Sequence, residues 1–244
     1  MTTFVDSYRF AAGGGGGFSP DDVAGLVLWL DASDAATITH SGGAVSQWDD
    51  KSASGLDVVQ ATGGNKPTTG AATQNGLNVI SFDSTDTLAV APGSPICAAA
   101  YSIFTVFRKT GSANAFECAP ITMTVSNVAS PFDAWDTNRF IDLAAYSGSY
   151  TNIKTSTSWA QFSWIGVSGA TDTFAERKDG SAVASGTQAQ PWSVTSQVIT
   201  IASRDDGVTK LTGDIAEILI YDVELTGTDL TDVEDYLATK WGTA

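Results

Sequence analysis

Between Asp133 and Arg139 the chain reads Asp-Ala-Trp-Asp-Thr-Asn-Arg, and Tyr146 and Tyr150 follow shortly after. An indole, two carboxylates, an amide and a guanidinium thus stand within one short stretch. Aromatic rings stack on the apolar faces of sugars, while carboxylate, amide and guanidinium groups hold hydroxyls. The chemistry this stretch suits is recognition of a hydroxylated, glycan-type ligand. Its candidate ligand-binding residues are Asp133, Trp135, Asp136, Asn138, Arg139, Tyr146 and Tyr150. A structural alternative stays open, in which Trp135 packs inward and Arg139 pairs with Asp136.

Other reactive residue types are sparse. His40 is the single histidine, in the turn-like context Ile-Thr-His-Ser-Gly-Gly, and reads as an exposed turn residue. One histidine with two cysteines, Cys97 and Cys118, makes no zinc site of the Cys/His kind. It leaves no Ser-His-Asp arrangement unless His40 itself is the base. The cysteines read as buried free thiols, with a single bridge as the open alternative. Asp31-Ala-Ser-Asp34 and Trp48-Asp-Asp-Lys-Ser52 put carboxylates in loops. Neither has the dense Asp-x-Asp-x-Asp-Gly spacing of a calcium loop, so Asx turns and strand caps are expected and no cofactor, with calcium as an open alternative that no motif indicates.

Twelve Lys and Arg against 27 Asp and Glu leave a formal charge of −15. Nucleic-acid backbones call for a basic face, so a nucleic-acid partner is excluded. Charged residues are only 16 % of the 244, so Ser, Thr, Asn, Gly and Asp must supply the polar surface. The length suffices for a hydrophobic core without a metal or disulfide. No apolar run reaches transmembrane length, and Met1 to Phe10 lacks the charged and apolar regions of a secretory signal. The expectation is a protein made in the cytoplasm and not membrane-bound.

The elements that must position these groups are strands. Five consecutive glycines, Gly13 to Gly17, form a flexible linker. Residues 1–17 therefore read as an arm and linker, and 18–244 as one domain. The arm carries Phe4, Val5, Tyr8 and Phe10, an apolar set suited to docking on a partner, with a disordered tail as the alternative. Beyond it, Ala24–Leu30, Gly76–Phe82, Tyr101–Phe107, Gln161–Val167, Gln197–Ile201 and Asp214–Tyr221 are β-branched, aromatic runs between turn residues. Strict alternation puts Ile215, Glu217, Leu219 and Tyr221 on one face of the last strand and Ala216, Ile218 and Ile220 on the other. Residues 60–75, 108–116 and 168–196 read as long polar loops, the last holding a hairpin turned by Asp179-Gly180; Asp206-Gly207 reads as a further turn. Trp29, Trp164 and Trp241 read as core. A helix is predicted toward the C-terminus, with Leu230, Val233, Leu237 and Trp241 on one face, Thr226 or Thr228 as cap and Gly242 as stop.

Three segments carry a family resemblance: Pro20–Asp34 with Val45–Ser52, Asn75–Asp83 with Tyr101–Phe107, and Leu211–Leu225 with the helix to Trp241-Gly242. Together they resemble the concanavalin A-like superfamily in its laminin G-like branch. The resemblance implies an all-β fold, a two-sheet antiparallel jelly-roll sandwich with a short C-terminal helix. Domains of this kind occur in secreted adhesive proteins and in tail, fibre and capsid-surface proteins of phages. Hydrolases with the fold carry Glu-x-Asp-x-Glu, which presents nucleophile and acid on one strand face. None of the five glutamates here, Glu117, Glu176, Glu217, Glu224 and Glu234, forms that motif. Alginate lyases of the superfamily would need a His and a Tyr near an Arg, and His40 stands in no such motif. The expectation is a non-enzymatic virion protein on the particle surface, as capsid decoration, head fibre or tail fibre. Its arm would dock on other virion proteins, and it would be a homo-oligomer that binds host-surface glycans. A carbohydrate-binding module of a bacterial surface or secreted protein is the alternative.

Overall fold

The computed structural model of the chain describes residues 17–90, 100–111, 120–125, 157–167, 172–188, 197–203 and 210–243. In chain order the strands are β1 (Leu26–Asp31), β2 (Ile38–Ser41), β3 (Ala44–Trp48), β4 (Val58–Val59), β5 (Thr68–Gln74), β6 (Leu77–Phe82) and β7 (Leu88–Ala89). There follow β8 (Ala100–Lys109), β9 (Ile121–Val125), β10 (Ala160–Val167), β11 (Asp172–Lys178), β12 (Ser181–Gln188), β13 (Gln197–Ile201), β14 (Gly213–Tyr221) and the helix α1 (Gly227–Trp241).

All pairings are antiparallel, along the path β12-β11-β10-β8-β14-β6-β5-β3-β4-β7-β13-β9. β1 lies along the second half of β14, and β2 along β3. The path folds over at β5, which has an irregular register with β6 between Thr69 and Thr73 and touches β3 through the single pair Ala44–Thr68. The result is the expected two-sheet jelly-roll sandwich. One apolar core lies between the sheets. Leu28, Ile80, Ile103, Trp164, Ile218 and Ile220 from one meet Val45, Trp48, Val58, Leu88, Ile121, Ile199 and Ile201 from the other.

A second core lies on the outer face of the first sheet, beneath α1. Trp29, Phe104, Val106, Leu219 and Tyr221 of the sheet meet Val233, Leu237 and Trp241 of the helix there. The helix begins after Thr226, which makes no side-chain capping bond, and ends at Gly242 in the left-handed conformation (φ 66°), with its N–H donating to Ala238. The β11–β12 hairpin turns through Asp179 (φ 47°) and Gly180 (φ 72°), as its Asp-Gly signal demands. Asp206-Gly207 lies outside the described residues.

Three sequence expectations are corrected. The stretch 60–75 is not all loop: Thr68–Gln74 is β5. Its Thr, Gly and Ala residues give no apolar alternation, and the strand is held by its pairing with β6. Trp48, not assigned to the core from sequence, is fully buried within it. The third correction concerns β14. Its register with β8 shifts between Ile215 and Glu217, a bulge that turns Ala216 and Glu217 toward α1 together. Ile215 therefore joins Ile218 and Ile220 in the inter-sheet core, and Ala216 joins Leu219 and Tyr221 outside.

Candidate functional site

The bulge positions a carboxylate that takes two donors on each oxygen. Glu217 is completely buried. Its Oε1 accepts from Trp29 Nε1 at 2.7 Å and the Tyr236 hydroxyl at 2.9 Å. Its Oε2 accepts from Lys240 Nζ at 2.7 Å and Trp241 Nε1 at 2.6 Å. Asp31 stands directly opposite Glu217 on β1. Lys240 Nζ reaches its Oδ1 at 2.8 Å, and Lys51 reaches its Oδ2 at 3.0 Å. Lys51 also meets Asp34 at 3.1 Å and lies over the Trp29 ring.

The electrostatics follow from this packing. Burial pushes Glu217 above the usual carboxylate range, and Lys240 opposes the rise. Burial acts upward on Asp31 too, but Lys240, Ser33 and Lys51 outweigh it and hold that carboxyl below its ordinary value. Burial and then the charge of Glu217 push the Tyr236 hydroxyl far up, so it stays a donor.

Two further carboxylates are bound in the same manner. Glu234 of α1 takes Arg177 through Nε at 2.7 Å and Nη2 at 2.9 Å, and accepts from Ser163 Oγ at 2.8 Å. Asp214 accepts from Arg108 Nε at 2.6 Å and Ser81 Oγ at 2.5 Å. These groups fasten helix to sheet and strand to strand. A carboxylate whose oxygens are committed to fixed donors is ill-suited to act as nucleophile or general acid.

The loop carboxylates are structural, as expected. Asp50 accepts from the backbone N–H groups of Trp29, Ser52 and Leu56 and from Ser52 Oγ. Asp31 accepts from Ser33, and Asp34 from Ala36 N. Among the described residues no group of three or more His, Cys, Asp and Glu side chains gathers as a metal site would. His40 is exposed on β2, where Nδ1 accepts from Gly43 N at 3.3 Å.

The sequence-predicted ligand residues Asp133, Trp135, Asp136, Asn138, Arg139, Tyr146 and Tyr150 lie outside the described residues, as do Phe4, Val5, Tyr8 and Phe10 of the arm and both cysteines. Sequence reasoning assigned no role to Glu217, Lys51, Glu234 or Arg177 and gave Asp31 a turn or cap role alone. One signal pointed to the first: a lone glutamate inside Ile-Ala-Glu-Ile-Leu-Ile demands buried partners.

No family model matches the chain, and no curated protein matches it. Solved structures do resemble it in fold. Domain 4 of an extracellular arabinanase from Geobacillus stearothermophilus, in complex with arabinotriose, aligns over 86 % of this chain and 98 % of its own at 13 % identity, with a TM-score of 0.52. A Trypanosoma rangeli sialidase in complex with the inhibitor DANA aligns over 87 % of this chain at 11 % identity, TM-score 0.57. The receptor-binding domain of botulinum neurotoxin mosaic serotype C/D aligns over 90 % at 13 % identity, TM-score 0.56. The chain spans about a third of that sialidase and about half of that neurotoxin domain. At such identities the likeness is one of fold: an all-β sandwich.

Proposed function

We propose that this protein is a non-enzymatic, glycan-binding β-sandwich displayed on the surface of a phage particle and attached through its N-terminal arm. One observation carries the reading: Phe18, which follows the glycine run, and helix α1 pack together on the outer face of the first sheet. Helix α1 is bound to the sheet by Glu217, Lys240, Trp241 and the Glu234–Arg177 pair. The N-terminal side begins on the same face, where Phe18 packs on Tyr236 with ring centroids 5.9 Å apart. Phe18 thus gives the glycine run before it a fixed point on the domain, which suits a tether bearing Phe4, Val5, Tyr8 and Phe10.

The resemblance to phage surface domains supports the virion placement, and the Ser/Thr-rich acidic surface suits outward display. Glycan binding draws support from the company of the fold, including the arabinanase domain that carries arabinotriose. The non-enzymatic reading draws support from Glu217, Glu234, Asp214 and Asp31, each committed to structural donors. Deleting residues 1–17 should leave a folded domain that no longer joins the particle; unchanged incorporation contradicts the tether.

A second reading has its own observation. The arabinanase domain is matched almost end to end as one domain of an enzyme, which favours a carbohydrate-binding module of a bacterial surface or secreted protein. Fractionation separates the two, because a module follows the cell envelope or medium and a virion protein follows the particles.

A further inference from the structure

The register of the first sheet aligns one transverse row of side chains on the outer face. The pair Ala160–Phe107 places Trp159, the residue before β10, opposite Arg108 of β8. Arg108 stands opposite Asp214 of β14, Asp214 opposite Ser81 of β6, and Ser81 opposite Thr68 of β5. The row therefore reads indole, guanidinium, carboxylate, hydroxyl, hydroxyl. Gly213 makes the alignment feasible: a Cβ there would collide with the Arg108 carbonyl oxygen, so only glycine lets β14 enter this close to β8.

The row is open to solvent at its working end. Trp159 is partly buried against the helix-side core, and its ring lies 5.2 Å from the Arg108 guanidinium carbon. The Arg108 side chain is 32 % exposed, and Nε, bound to Asp214, is its one hydrogen-bonding group with a partner among the described residues. Its terminal N–H groups stay available beside a carboxylate that already neutralises the charge. Thr110, two residues beyond Arg108, is exposed.

We infer that this row is a glycan subsite for a neutral sugar ring, with Trp159 as the stacking platform. The terminal N–H groups of Arg108 donate to an adjacent hydroxyl, while Asp214 holds the guanidinium in place. The charge-neutral pair on a strongly acidic protein selects against anionic sugars. The inference rests on the glycan reading above and gives it an address separate from the Asp133–Tyr150 stretch.

The test uses the full chain on an array of neutral gluco-, galacto-, manno- and arabino-oligosaccharides, with titration of the best binder. Trp159→Leu keeps apolar bulk but removes the ring, Trp159→Tyr restores a ring, and Thr110→Arg crowds the row from an exposed position without touching the core. The expected result is binding by the wild type and a loss of about 10- to 100-fold for Trp159→Leu, the scale of losing one stacked ring. Trp159→Tyr should recover most of it, and Thr110→Arg should weaken binding. If Trp159→Leu fails to fold, Thr110→Arg decides alone. Wild-type affinity in a folded Trp159→Leu and in Thr110→Arg overturns this subsite while the glycan reading stands. A wild type that binds nothing on the array overturns both.

Discussion

Asp31 and Glu217 face each other across β1 and β14, two carboxylates at directly opposed positions beneath a helix. Like charges so placed repel. Lys240 resolves the conflict from α1, with Nζ 2.8 Å from one and 2.7 Å from the other. The helix is thus an electrostatic as well as an apolar partner of the sheet. Its removal would leave two facing carboxylates, one of them fully buried, with Lys51 as the remaining cation on Asp31.

Lys240→Met should accordingly destabilise the domain by about 3–5 kcal/mol, the usual result of stripping one partner from a buried pair. Adding Glu217→Gln to it should recover part of the loss, because a neutral amide no longer needs the cation. Denaturant unfolding of both variants checks the pair. Equal loss in the single and double variants would show that packing of the lysine stem, not charge, is what matters.

Trp241→Ala should cost roughly 3–5 kcal/mol, since a fully buried indole leaves a cavity. Against a total of ~5–15 kcal/mol this is a large fraction. Trp241→Phe fills most of the cavity but deprives Glu217 of a donor at 2.6 Å, and should cost about 1–3 kcal/mol. Thermal melts of the two should therefore rank Ala well below Phe, and Phe below wild type.

Asp86 offers a pH-dependent reading. It is buried with one backbone donor, Asp83 N at 2.9 Å, and burial lifts it from 3.8 to about 6. A carboxyl raised on folding contributes stability below its unfolded value and loses that contribution as pH rises through about 6. Asp86→Asn keeps the acceptor and removes the titration. Its melting temperature should exceed wild type by a few degrees at pH 8 and converge with it near pH 4. The opposite trend would mean that Asp86 is held ionised.

Trp135→Ala tests the stretch picked out from sequence alone. If that stretch holds a glycan, the variant should stay folded and attached to particles yet lose adsorption to host cells. Unchanged adsorption makes the stretch structural. Read beside Trp159→Leu, the result assigns recognition to one site or the other.

The sheets were legible because their strands alternate. In β6, Ile80 and Phe82 turn inward and Val79 outward; in β8, Tyr101, Ile103 and Phe107 share the inter-sheet core. The helix was legible through Val233, Leu237 and Trp241, and its end through Gly242. The bulge at Ala216–Glu217 was not, because an extra residue in a strand leaves no mark on composition and is set by pairing with β8. The outer-face row was hidden for a related reason. Trp159, Arg108, Asp214, Ser81 and Thr68 are distant in sequence and meet only through register. Lys240 stands in the last turn of α1, where a cation suits the helix end, but its principal partners are two carboxylates on other elements.

The central claim is that this domain is part of a virion surface. The most direct measurement is sedimentation of intact phage particles through a density gradient, with the chain followed by mass spectrometry across the fractions. The account predicts that the chain peaks with the particles and is released by protease attack on the glycine linker, while the domain from Phe18 onward stays intact. A chain found only in the cell envelope or the medium, with none in the particle fractions, would contradict it.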